Sequence, residues 1–386
     1  MGLLVGFIVN PVAGMGGRVG LHGTDTAARV QEARRRGAAP VSPPRAARAL
    51  RRLAEAGLAG DVTVLAAPGP MGAEVAASSR LRVRPLDIAA GNPTSAADTA
   101  AAATAVAAAG ADLLLFAGGD GTAADIVSSV GRSAPLLGIP SGVKMRSGVF
   151  AATPEAAGDL AVQHLEKFAS TKHGEARSAL LSIAEVVDVA PSPGATDPTA
   201  GVLMGVALVP RTGDGRLVGA KSSSALHGAA ALDALAEDVA AELDPERLYL
   251  VGPGTTTSRV LGALGLEKSV LGVDAVAGGQ LVGADLAEEE ILRLVGAYPR
   301  TGLILGVIGG QGMLLGRGNQ QLGPRVLGRL SPEDVTIMSS ADKLVALRPA
   351  VLRVDAGDEA SFPWLTGYRR VRVGPRRYMM MRVDAA

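Results

Sequence analysis

The sequence predicts an α/β protein: a parallel-sheet domain first, then a second α/β domain with a β-rich C-terminal tail. Three observations point there. Apolar runs of strand length alternate with helical patterns through the first third of the chain. The same alternation returns after Arg247. At 386 residues the chain is also longer than most single domains. Strands alternating with helices give a mostly parallel sheet covered on both faces. The domains are placed at residues 1–150 and 151–386.

Leu3–Val9 is an unbroken apolar run, as a strand buried on both faces requires. Asp61–Ala67, Arg84–Ala89, Asp112–Ala117 and Pro135–Ile139 are the following strands. Helical patterns lie between them at Arg45–Ala56, Ser95–Ala109 and Thr122–Val130, and Ser95 with Asp98 makes a capping box. Thr153–Phe168 is a helix with Pro154 in its first turn, leading into the second domain. Ala179–Val189 and Gly201–Val209 are strands, and Ala190–Thr199 is a loop. Asp233–Leu243 is a helix. Arg247–Val251, Ser269–Val273 and Gly302–Ile308 are strands, with helices from Thr255 to about Leu264 and over Leu286–Gly296. The tail, Leu344–Val383, holds short β-like runs and a hairpin turn at Gly374–Pro375.

Composition narrows the function. The 38 basic and 37 acidic residues leave a formal charge of +1, without the excess that a general nucleic-acid binder needs. Aromatic residues make up only 3%, which argues against stacking platforms for single strands. The chain has no cysteine, so disulfides, zinc thiolate sites and thiol catalysis are excluded. The four histidines show no metal spacing, so no protein-held metal cluster is expected. Thr99–Ala117 is the nearest approach to a membrane span, but Gly110 and Asp112 divide it into a helix and a strand. No basic segment precedes Leu3–Val9, so no targeting signal is read. We expect a soluble cytoplasmic homo-oligomer with neither a nucleic-acid nor a membrane partner.

Ligands of parallel sheets collect at the carboxyl ends of strands. Gly-rich turns sit at those ends here. Strand Asp112–Ala117 runs into Gly118-Gly119-Asp120-Gly121-Thr122, and a helix begins at once. The glycines let the backbone turn sharply and bring amides close to a phosphate, and the helix end adds its positive potential. Phosphates would repel Asp120 unless it takes a proton from a nucleophile or helps hold a magnesium ion. The plainer reading is a tight turn with Asp120 as a cap. The first strand ends in Asn10-Pro11-Val12-Ala13-Gly14, followed by Met15-Gly16-Gly17. Asn10 can bridge its loop, Pro11 stiffens it, and Gly14, Gly16 and Gly17 expose amides. Two such loops can face one nucleotide.

Other residues carry chemistry suited to a nucleotide. Lys144 follows Gly138-Ile-Pro-Ser-Gly142 and is one of only six lysines, so its ammonium is a candidate phosphate partner. Thr255, Thr256 and Thr257 open a helix after Gly254, where hydroxyls and free amides favour an anion. Asp274 is placed to hold a ribose hydroxyl. Gly309-Gly-Gln-Gly312 follows a strand, and Gln311, Arg317 and Asn319 supply donors, with Arg317 able to bind phosphate through two nitrogens. Each of these also reads as a cap, loop or surface group.

Asn10-Pro-Val-Ala-Gly14 together with Gly118-Gly-Asp-Gly-Thr122 resembles the superfamily of NAD kinases and diacylglycerol or sphingosine kinases. Gly138-Ile-Pro-Ser-Gly-Val-Lys144-Met145, Gly252-Pro-Gly-Thr-Thr-Thr257, Gly272-Val-Asp-Ala-Val276 and Gly309-Gly-Gln-Gly-Met313 with Gly316-Arg-Gly-Asn-Gln320 are most similar to its ATP–NAD kinase-like branch, which includes acetoin catabolism protein X. The resemblance implies an NAD kinase-like nucleotide-binding domain and a second domain that completes a site between the two. It implies ATP, or another phosphoryl donor, and Mg²⁺ as cofactors, with nucleotide small molecules as partners. Asp120 then serves the transferring phosphoryl group and activates the acceptor hydroxyl. Gly118, Gly119, Gly121 and Thr122 form the phosphate turn, and Asn10 and Gly14 the facing loop. The kinases hold their acceptor with an Asn-Glu pair in the second domain. This chain has no such pair, and Gly254-Thr-Thr-Thr257 only loosely matches the kinases' Gly/Thr/Ser loop.

The implied activity is transfer of the ATP γ-phosphate to the 2′-hydroxyl of NAD or a related nucleotide-like alcohol. Two alternatives stand beside it: a nucleotide-binding protein of the acetoin catabolism X type without NAD kinase activity, and a diacylglycerol or sphingoid lipid kinase. The last would want an apolar pocket in a β-rich second domain, whereas Arg247–Gly310 alternates Gly-loops with helices.

Overall fold

The computed structural model describes residues 2–21, 23–24, 26–143, 145–171, 175–188, 202–211, 229–269, 271–308, 312–347, 349–356 and 363–385. The chain forms two compact units. The first comprises Met1–Met15, Gly23–Val30 and Ala39–Ala220, and the second Gly16–His22, Gln31–Ala38 and Lys221–Ala386.

The first unit is built from β1 (Leu3–Val9), α1 (Ala27–Arg35, whose residues are divided between the units), α2 (Ser42–Glu55), β2 (Val62–Ala66), α3 (Ala73–Ala77), β3 (Arg82–Pro85), α4 (Ala96–Ala108), β4 (Leu113–Gly118), α5 (Asp120–Val130), β5 (Leu136–Pro140), α6 (Pro154–Ser170), α7 (Glu175–Ser178), β6 (Leu181–Asp188) and β7 (Val202–Pro210). Five strands pair in the order β3-β2-β1-β4-β5, every pair parallel. β6 and β7 form an antiparallel ribbon.

Side chains alternate between the faces of a strand, so a run apolar at every position buries both. Leu3, Val5, Phe7 and Val9 join Leu113, Leu115 and Ala117 against α2 and α6. Ile8, Leu114 and Phe116 point the other way, onto α4, α5 and Val186, Ala207 and Val209 of the ribbon. Gly6 lets α4 approach, since an added Cβ would lie 2.1 Å from Val106 Cγ1. The Ser95–Asp98 capping box is present at the start of α4. α6 packs on α2 inside this unit. Arg48 Nε and Nη2 grip the Glu155 carboxylate at 2.6 and 2.9 Å, and a Cβ on Gly158 would lie 2.5 Å from the Ala49 carbonyl.

The second unit contains α8 (Ala229–Ala241), β8 (Leu248–Val251), α9 (Thr255–Ala263), β9 (Asp274–Ala277), β10 (Gln280–Gly283), α10 (Glu288–Ala297), β11 (Thr301–Gly306), β12 (Met313–Leu315), α11 (Pro324–Leu327), β13 (Val335–Met338), α12 (Ala341–Val345), β14 (Val351–Val354), β15 (Gly367–Gly374) and β16 (Arg377–Ala385). Its mixed sheet has the order β10-β9-β8-β11-β13-β15-β16-β14-β12. Val251, Ile304 and Met338 pack against α8 and α9, and Leu250, Leu303 and Ile337 pack against α10 and α11. β15 and β16 form the C-terminal hairpin, with Arg376 in its turn at φ 51°.

Two differences from the sequence reading have clear causes. Ser269–Val273 is not a strand among the described residues, and β9 begins only at Asp274. The Asp274 carboxylate draws in the amides of Ser269 and Asp285, each at 2.8 Å, and so bends the preceding segment into a turn. α5 begins at Asp120 rather than Thr122, because Gly119 takes the extended N-cap conformation. The loop expected at Ala190–Thr199 lies outside the described residues. Among the described residues, no helix is long and apolar enough to cross a membrane.

Candidate functional site

β4 is buried at every residue and delivers Gly118 directly to α5. Gly118 admits no side chain, since a Cβ would lie 2.5 Å from the Thr122 Cβ and Oγ1. Gly119 has no side chain with which to cap the helix. The first helical bond runs from Ala123 N to Gly119 O at 3.0 Å. The amides of Asp120, Gly121 and Thr122 therefore precede the helical ladder, at the end of a helix that attracts anions.

Three chain segments of the first unit converge there. Asn10 Nδ2 donates to Thr122 Oγ1 at 3.0 Å, while Asn10 Oδ1 accepts the Val12 amide at 3.2 Å. Gly14 sits at φ 78°, where a Cβ would lie 2.0 Å from the Ser141 carbonyl oxygen. A Cβ on Gly119 would lie 3.2 Å from Gly142 Cα. The Gly118 carbonyl accepts the amides of Ser141 and Gly142 at 2.9 and 3.0 Å. The bends at Gly14 and Gly119 thus both close on Ser141–Gly142.

Asp120 is 7% exposed. Its Oδ1 accepts Ser147 Oγ at 2.7 Å and the Arg146 and Ser147 amides, each at 3.0 Å. Its Oδ2 accepts the Arg146 amide at 2.8 Å. Ser147 Oγ in turn accepts the Val187 amide at 3.0 Å, which connects the head of α5 to the end of β6. Burial pushes the Asp120 carboxyl above the usual carboxylate range; the bonds from Ser147 and Arg146 oppose it, and the charge on Asp188 adds to it. Asp125 is pushed up as well, by burial and then by Asp188. Asp188 Oδ2 lies 3.7 Å from the position of a Cβ on Gly121. Among the described residues, no group of three or more metal-binding side chains is arranged to hold an ion.

The remaining expected residues sit in the second unit, except for Lys144, which with Gln311 lies outside the described residues. The Gly16 carbonyl accepts the amides of Val19 and Leu21 at 3.2 and 2.8 Å, and Gly17 packs on Gln320. Gly254 is the N-cap of α9 at φ 116°. Thr257 is wholly buried, and its hydroxyl donates to the Gly252 carbonyl at 2.6 Å, so it serves the turn. Thr255 is exposed and Thr256 half-buried. Asp274 is wholly buried among Ser269, Asp285 and Lys268, whose Nζ lies 3.6 Å from Asp274 Oδ2. Asn319 closes its own turn, donating to the Leu314 carbonyl at 2.7 Å and accepting the Gly316 amide at 2.9 Å. Arg317, two residues before it, is buried.

A family model described as the ATP-NAD kinase N-terminal domain matches residues 5–168. Another, described as the ATP-NAD kinase C-terminal domain, matches residues 244–383. The chain belongs to the ATP-NAD kinase family. No curated protein and no solved structure matches it. The N-terminal match takes in Asn10, Gly14 and the whole Gly118–Thr122 turn. The C-terminal match takes in Gly254–Thr257, Asp274, Arg317 and Asn319.

Three residues at this ATP-NAD kinase turn were not legible as site residues: Ser141, Arg146 and Ser147. They follow β5 and meet the turn only in three dimensions; Ser147 lies 27 positions from Asp120. The one available signal was their place in and just after the Gly138–Met145 stretch that already carried the resemblance.

Proposed function

We propose that this NAD kinase-type phosphotransferase moves the γ-phosphate of ATP to the 2′-hydroxyl of NAD or of a related nucleotide-like alcohol, with Asp120 as the base. One observation carries the proposal. Asp120 Oδ1 accepts both the hydroxyl and the amide of Ser147, while the Arg146 N–H, shared between the two oxygens and shorter to Oδ2, is all that Oδ2 accepts among the described residues. A carboxylate oxygen has two lone-pair positions. Oδ2 therefore keeps one for the proton of an acceptor hydroxyl, while Oδ1 fixes the carboxylate in place.

Burial raises the carboxyl toward the range where a base works best near neutral pH. In the transfer the acceptor oxygen bonds to the γ-phosphorus and the bond from that phosphorus to the β,γ-bridging oxygen breaks. ADP leaves, and the hydroxyl proton passes to Asp120 Oδ2. The amides at the head of α5 and the Asn10–Gly14 loop orient the phosphates. Magnesium takes most of its ligands from phosphates and water, and Asp188, the carboxylate beside Gly121, would help to hold it. When bound, it supplies charge neutralisation.

A second reading has its own support. The Asn-Glu pair that holds the acceptor in characterised NAD kinases is missing. The protein would then bind nucleotide without phosphorylating NAD, as the resemblance to the acetoin catabolism X branch suggests. Incubation of the full chain with ATP and magnesium separates the readings, with NAD, other nucleotide alcohols, diacylglycerol and a sphingoid base as parallel acceptors. NADP formation supports NAD as acceptor. A rise in melting temperature with ATP but no phosphorylated product from any acceptor favours the second reading.

A further inference from the structure

The sheet of the second unit is parted over some of its length. β13 and β15 are parallel neighbours, yet they pair only at Ile337 with Val371 and at Met338 with Arg372. Val335 and Thr336 pair with β11 on their far side, and Gly367–Arg370 pair with β16 on theirs. A cleft of about 610 Å³ lies along these two edges. That is within the usual size of small-molecule sites, ~300–1,000 Å³. Its floor reaches the core at Leu305, Leu314 and Ile337.

The rim is chemically unlike the rest of the chain. The sequence has one tryptophan, four tyrosines and five phenylalanines, and Trp364, Tyr368 and Tyr378 all line this cleft. Tyr368 is 68% exposed. The Arg370 guanidinium lies 4.0 Å over the Tyr378 ring. A guanidinium stacked on a ring keeps its in-plane N–H groups for an anion. Arg369 spends one donor on the Tyr368 carbonyl at 3.3 Å and, among the described residues, retains the others of its fork. Arg372 also lines the cleft, but it is engaged by two carboxylates, Glu242 and Asp238. Among the described residues lining the cleft, Arg369, Arg370 and Arg372 face Glu242 and Glu333, and Asp238 behind Arg372 brings the local charge to balance.

Flat rings, an apolar floor and two guanidiniums that no carboxylate engages among the described residues match a ligand with an aromatic base and an anionic tail. We infer that this cleft is a nucleotide site built wholly from the second unit, with the base against Trp364 or Tyr368 and the phosphates on Arg369 and Arg370. The inference does not depend on the role of Asp120.

Trp364 is the chain's only tryptophan, so its emission reports this cleft in the full-length protein. ATP and ADP are each expected to change that emission saturably. Losing two charge-assisted contacts in Arg369→Ala/Arg370→Ala should raise the half-saturating concentration by at least about tenfold. Adenosine alone and tripolyphosphate alone should each bind at least about tenfold more weakly than ATP, because each lacks half of the recognised chemistry. Tyr368→Ala, at a largely exposed position, should weaken binding independently. Asp120→Asn should leave the titration unchanged even where it abolishes turnover, so the two proposals fail separately. No saturable change with ATP, or variants that titrate like the wild type, would overturn the inference. Tripolyphosphate binding as tightly as ATP would overturn it too, by reducing the cleft to a polyanion patch.

Discussion

The Asn10 side chain bonds to Thr122 Oγ1 at 3.0 Å, and through that contact the loop after β1 is tied to the first turn of α5. The same amide holds the Val12 N–H, so one residue fixes both its own loop and the neighbouring turn. Asn10→Ala and Thr122→Val should each cost about 1 kcal/mol, the usual net value of such a bond. The double variant should cost less than their sum, with a coupling near ~1 kcal/mol. Urea unfolding of the four proteins measures this. Strict additivity would mean that the bond contributes nothing to stability.

Gly14 and Gly37 share almost the same backbone angle, φ 78° and 79°, but not the same surroundings. An added methyl at Gly37 meets nothing within 4 Å, whereas at Gly14 it lies 2.0 Å from the Ser141 carbonyl oxygen. Gly37→Ala should cost only the left-handed backbone strain, about 1 kcal/mol. Gly14→Ala should cost distinctly more and should also weaken ATP binding, because Ser141–Gly142 must move. Equal melting temperatures for the two variants would show that the close approach is unimportant.

Lys268 lies buried, with Nζ donating to the Ser269 and Gly272 carbonyls at 2.9 Å each. Burial lowers its pKa to about 8, against the opposing pull of Asp274 and Asp285. An unfolded lysine titrates near ~10.4. Between those values the unfolded chain holds a proton that the folded chain has released, so this group makes stability rise with pH across the window. Lys268→Met should flatten that rise. Unfolding free energies at several pH values from neutral to alkaline give the slopes, and an unchanged slope in the variant would remove Lys268 as its source.

For Asp120 the sign follows from its ionised form being the base. Turnover should fall as pH drops through its raised pKa, with a midpoint above that of an ordinary aspartate, about 3.9. The Asp188 charge is one cause of the elevation. In the metal-free protein, Asp188→Asn should therefore shift the midpoint of the Asp120 carboxyl titration, followed by NMR, downward. A midpoint that does not move would exclude that electrostatic coupling.

Much of this was readable from sequence where burial leaves a simple pattern. β1 and β4 are apolar at nearly every position because both faces are covered, so their limits were legible to within about a residue. The capping box of α4 is local, and Ser95 and Asp98 announce it. Ser269–Val273 misled because a short apolar run does not show which way its backbone turns, and the turn depends on Asp274 and Asp285. The Gly118–Thr122 turn was legible because glycine spacing is itself the signal. Its support was not: the Arg146 and Ser147 amides reach Asp120 across 26 and 27 positions, and a backbone donor leaves no mark on residue type. Thr257 shows the reverse case, a hydroxyl suited to phosphate that the fold uses to close its own turn.

The central claim is that Asp120 takes the acceptor's proton. The most direct test is steady-state phosphoryl transfer from ATP by the wild type and by Asp120→Asn, with ATP affinity measured on both. The amide keeps the size of the carboxylate but cannot act as the base. Turnover should fall by about a hundredfold or more, the usual weight of a general base, with ATP affinity changed little. An Asp120→Asn protein that turns over at the wild-type rate would contradict the claim.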